Sequence, residues 1–120
     1  MDILFYLGIA LIIVHEMDAV CCHEWRIFPG LSSLKDNVAC RIFILAHIPL
    51  FSLFFWYIYY SPDLYYFILG FNIFLVVHWL LHILFLKHKN NEFKDWVSWS
   101  IISAAGLCGV LSLIIILARI

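Results

Sequence analysis

The chain has 120 residues, of which 66% are hydrophobic and 12% charged, and its formal net charge is −1. Mean hydropathy is +1.03, too apolar for one small domain to hide from water, because small folds have a poor ratio of interior to surface. The bilayer is the solvent that fits, and the absence of a basic block excludes nucleic acid as a partner.

The first apolar run covers residues 3–20. It follows Met1-Asp2 with no basic leader and precedes no small-residue cleavage site, so it is expected to remain as a span rather than leave as a signal peptide. Three more runs follow, at about 38–60, 64–86 and 96–117. All four approach or exceed the ~20 residues needed to cross hydrocarbon, and none alternates as a strand would. The expected fold is all-α: a polytopic membrane protein with four transmembrane helices in one compact bundle, a single domain over residues 1–120.

Between the first two runs, the segment from Cys21 to Asp36 mixes aromatic, turn and polar residues, as suits a stretch lying among lipid headgroups. Trp25 and Arg26 read there as interface anchors, and Asp36 as the N-cap of the second helix. Pro49 should kink that helix just after His47. Ser61-Pro62-Asp63 reads as a tight turn with Pro62 opening the third helix, flanked by an aromatic belt of Tyr57, Tyr59, Tyr60, Tyr65 and Tyr66. A second polar connector runs from Lys87 to Asp95. Ser98, Ala105, Gly109 and Ser112 then make a small-residue stripe, which makes the fourth helix a packing wall.

Of seven basic residues, Arg26, Lys35, Arg41, Lys87, Lys89 and Lys94 lie on or beside the two connectors, and only Arg119 lies opposite. This bias predicts a plasma (inner) membrane protein with cytoplasmic connectors and both termini outside. Cys21, Cys22, Cys40 and Cys108 form no disulfide framework and read as free thiols in a reducing compartment.

The chemistry concentrates in His15 to Arg26, H-E-M-D-A-V-C-C-H-E-W-R. His15 and Asp18 fall near the connector end of the first helix, His47 at a similar depth on the second, and His78 and His82 on the third. His78 and His82 are at i, i+4, the spacing by which one helix offers two imidazoles to one ion. His15, Asp18, His47, His78 and His82 therefore form a candidate ligand set for a transition metal (zinc, iron, copper or manganese), with Glu16 as a further ligand or general base. Two-sided haem ligation is an alternative, as are a structural hydrogen-bond network between helices and a proton relay. His23, Glu24, His88 and Glu92 read as solvated connector residues.

No known short motif covers this pattern. H-E-M-D-A has Ala19 where the zincin motif needs its second His, and six His in total fall short of the boxes of membrane hydroxylases. H-E-M-D-A at 15–19, H-E-W-R-I-F-P-G at 23–30, L-A-H-I-P-L at 45–50, H-W-L-L-H at 78–82 and N-E-F-K at 91–94 together resemble an uncharacterised bacterial family of small four-span membrane proteins. The resemblance implies the same fold and draws attention to Glu24, Trp25 and Arg26 beside the His and acids already named. It implies no activity. Two functions follow from the residues: a membrane metalloprotein, redox or hydrolytic, acting on a lipidic or other membrane-soluble small molecule, or a non-enzymatic component such as an accessory subunit, a small homo-oligomeric channel or a proton-linked carrier.

Overall fold

Backbone polar groups cannot be left unpaired in hydrocarbon, so apolar runs of this length resolve as helices. The computed structural model describes residues 3–120; Met1 and Asp2, on which the expected absence of a basic leader rests, lie outside the described residues. Four helices form: α1 (Ile3–Cys21), α2 (Asp36–Tyr60), α3 (Tyr65–Leu84) and α4 (Trp96–Ala118). Each is long and apolar enough to cross a membrane, and no strand occurs among the described residues. Short 3-10 turns at Glu24–Arg26, Leu31–Ser33 and Phe85–Lys87 shape the connectors. Large apolar side chains such as Ile48, Leu53 and Leu84 are more than 60% exposed, a liability in water and the ordinary state of a lipid-facing surface.

α4 packs closely on α1 and α3. Its stripe does the work expected of it: Ser98, Ala105, Gly109 and Ser112 are all buried. A Cβ on Gly109 would sit 2.8 Å from the Asn72 carbonyl oxygen and 2.9 Å from the Leu75 Cβ, so the α3–α4 approach depends on its absence. α2 stands apart. At one end Phe54 meets Phe67 and Phe71 of α3, with ring centroids 5.2 and 5.4 Å apart. At the other, Ala39 and Phe43 pack around Trp25. Between those ends a cleft separates α2 from α1 and α3.

Three local expectations are corrected. Asp36 is not the N-cap of α2, which is Lys35. Asp36 opens the helix and its carboxylate accepts from Trp25 Nε1 at 2.9 Å and from Arg26 Nε and Nη2 at 2.8 and 3.1 Å. Trp25 is not an interface anchor: it is 3% exposed and belongs to the core, because its indole N–H has found that carboxylate. Pro62 precedes α3 without opening it; Asp63 Oδ1 accepts from the Tyr65 N–H at 2.9 Å instead.

Candidate metal centre

α1 ends where the His23 backbone turns left-handed, with φ 52° and ψ 49°. This residue reverses the chain, and Glu24–Arg26 folds back as a 3-10 turn beneath the end of α1. Burial of Trp25 against Ala19, Phe43, Phe93 and Ile102 holds the turn in place. The second connector closes over the first. Glu92 takes His23 Nδ1 at 2.9 Å and Arg26 Nη1 at 3.3 Å, and Asn90 Nδ2 donates to the Arg26 carbonyl at 3.3 Å. Asn91 Oδ1 accepts from the Phe93 N–H, and the Phe93 carbonyl accepts from Trp99 Nε1 at 2.6 Å. Phe93 is thereby inserted into the bundle, 1% exposed.

Beneath this cover His15 of α1 meets His78 and His82 of α3. His15 Nε2 lies 3.1 Å from His78 Nε2, which lies 3.2 Å from His82 Nε2. The rings stand nearly perpendicular to one another, at 67° to 86°. Glu24 Oε1 lies 3.7 Å from His82 Nε2. One ligand atom from each of His15, Glu24, His78 and His82 falls within 4.8 Å of all the others, so this buried His/Glu group could hold a metal ion.

Hydrogen bonding satisfies these rings poorly. An imidazole nitrogen is either a donor or an acceptor, yet His78 Nε2 faces two other Nε2 atoms. One proton cannot serve both contacts as full hydrogen bonds. The Nδ1 atoms of His15 and His78 are also buried without a partner, at a cost of about 1–3 kcal/mol for each orphaned group. A cation at the meeting point of three Nε2 lone pairs would resolve the Nε2 contacts, leaving the two Nδ1 atoms as they are. Metal–nitrogen bonds of ~2.0–2.1 Å in a tetrahedron place neighbouring ligand nitrogens about 3.3 Å apart, close to the two separations found.

The other candidate residues lie elsewhere. His47 Nε2 contacts Glu16 Oε2 at 2.6 Å, and His47 Nδ1 donates to the Phe43 carbonyl at 2.6 Å. These two form a pair between α1 and α2, separate from the three-His group, each about 20% exposed. Asp18 also falls outside the group; its Oδ1 accepts a weak bond from Cys22 Sγ at 3.9 Å and its Oδ2 is buried and unpaired. Burial pushes the Cys22 thiol up to about 11, which keeps it protonated and a poor ligand.

Glu24, expected to be solvated, is the correction with most consequence. Burial, reinforced by repulsion from Glu16, pushes its carboxyl up to about 8. Phe93 is the other residue that sequence reasoning missed as part of the site. Its ring stacks on His15 at 5.4 Å and meets His82 edge-on at 4.7 Å. A signal for Phe93 was present in N-E-F, where one aromatic sits within an otherwise polar connector; the first connector also carries the exposed Phe28, and H-E-W-R held no such signal for Glu24.

These features define a small protein of four helices, each long and apolar enough to cross a membrane, with a buried His/Glu group under a folded connector cap. The chain belongs to a family of unknown function (DUF6713), whose model matches residues 1–119. Neither comparison with curated proteins nor comparison with solved structures gives a match.

Proposed function

We propose that this protein is a membrane metalloprotein in which His15, His78, His82 and Glu24 bind one divalent transition metal. The observation that carries the reading is the convergence of three Nε2 atoms, those of His15 and His82 lying 3.1 and 3.2 Å from that of His78, with a carboxylate beside them. Three imidazoles and one carboxylate suit zinc, iron, manganese or copper. Metal bound there would supply Lewis-acid or redox chemistry near the bilayer surface, on a membrane-soluble substrate. Glu16, held by His47, is the proton-transfer group of this proposal. The charge bias of the connectors supports a plasma-membrane location with the site on the cytoplasmic side.

Elemental analysis of protein purified in mild detergent tests the reading. The expected result is about one metal per chain, lost in His78→Ala and His82→Ala. The second reading, a non-enzymatic membrane component with a purely structural His network, draws on the same Nε2 contacts taken as hydrogen bonds. It requires metal-free wild-type protein and variants that lose only stability.

A further inference from the structure

The cleft between α2 and the α1–α3 pair has a volume of about 400 Å³. Ile9, Ile12 and Phe71 are buried and form its floor, whereas Leu50, Phe55, Tyr66 and Phe74 are exposed at its rim. It therefore opens sideways, between α2 and α3, toward lipid. Along α3 it runs from Tyr66 to Phe74, about 12 Å at the helical rise. Gly70 lies on it, and a Cβ there would touch nothing within 4 Å. Phe74, on its wall, also faces His78 with ring centroids 5.7 Å apart, so the groove adjoins the three-His group.

Among the described residues, Glu16 is the one carboxylic acid lining the groove, and Tyr66 adds a phenol at its rim. Its carboxylate end is held by His47, whose Nδ1 donates to Phe43, so the short contact between them contains one proton and the pair is neutral as a unit. No Lys or Arg lines the groove among the described residues. An anionic head would be buried beside a pair with no net positive charge to offset it. A head that can only exchange hydrogen bonds meets no such penalty.

We infer that this groove binds a single-chain lipid with an uncharged oxygen head, a long-chain alcohol or aldehyde, whose head reaches the Glu16–His47 pair and whose chain lies along Phe71 and Gly70. This deepens the proposed function by naming its substrate class, and it rests on that reading only for the chemistry, not for the binding.

The test uses the full chain in nanodiscs with a chelator present, so that its outcome is independent of metal content. The probe is hexadecanol carrying a photoactivatable diazirine in the chain, with crosslinks mapped by mass spectrometry. Crosslinks are expected on Leu50, Phe55, Gly70 and Phe74, competed by unlabelled hexadecanol and not by hexadecyl phosphate. Gly70→Phe, whose Cβ would meet nothing within 4 Å and whose ring would occupy the groove, should cut labelling about tenfold. Glu16→Gln should let hexadecyl phosphate compete. Labelling spread evenly over the lipid-facing sides of all four helices, full competition by the phosphate in the wild type, or unchanged labelling of Gly70→Phe would each overturn the inference.

Discussion

Phe93 lies against the His15 ring, with centroids 5.4 Å apart and planes 29° from parallel, although the two residues belong to a connector and a membrane helix. Phe93 also touches His82 edge-on, so one apolar side chain fixes two imidazoles. Phe93→Ala removes this support and leaves a cavity, an expected loss of about 3–5 kcal/mol of stability. Metal affinity should fall roughly 10–100-fold, as it does when ligand-orienting contacts are lost. Phe93→Leu should recover most of the stability. Calorimetric metal titration and detergent unfolding of both variants check this.

Glu24 makes the site sensitive to pH. In the unfolded chain its carboxyl titrates near 4.5, and in the fold it is raised to about 8. The folded state thus holds the proton more tightly than the unfolded one. Its stabilising contribution is complete below pH 4.5 and disappears as pH rises through about 8. Metal-free protein should therefore lose thermal stability between about pH 4.5 and about pH 8, and Glu24→Gln should flatten that slope. Metal must displace the same proton, so affinity should rise over the same interval and become nearly level in Glu24→Gln.

Gly109 and Gly70 provide a matched pair on the helices. Gly109→Ala would force a methyl against the Asn72 carbonyl at 2.8 Å, prising α4 from α3 at an expected cost of about 1–3 kcal/mol. Gly70→Ala meets nothing and should be neutral or stabilising by up to about 1 kcal/mol, from helix propensity alone. Equilibrium unfolding in mixed micelles separates the two.

The spans were legible because hydrocarbon imposes one answer on a long apolar run. The expected 3–20, 38–60, 64–86 and 96–117 differ from the observed helices by at most two residues at either end. The common depth of His15, His78 and His82 was legible for the same reason, since depth follows from counting residues along helices. Which of the inward residues would meet was not. His47 has the right depth, but α2 stands off from the bundle at that level, and its imidazole pairs with Glu16 instead. Glu24 and Phe93 lie in irregular segments, where periodicity carries no information. Their positions follow from a left-handed His23, a Trp25 drawn inward by Asp36, and an Asn91 that ties the second connector to the Leu86 carbonyl.

The most direct measurement is X-ray absorption fine structure at the edge of whichever metal copurifies. Ligation by His15, His78, His82 and Glu24 predicts three imidazole nitrogens at about 2.0–2.1 Å and one oxygen, and loss of that signal in His82→Ala, which no longer holds the metal. An all-oxygen or sulfur-containing shell, or a spectrum unchanged by His82→Ala, would contradict metal binding at this centre.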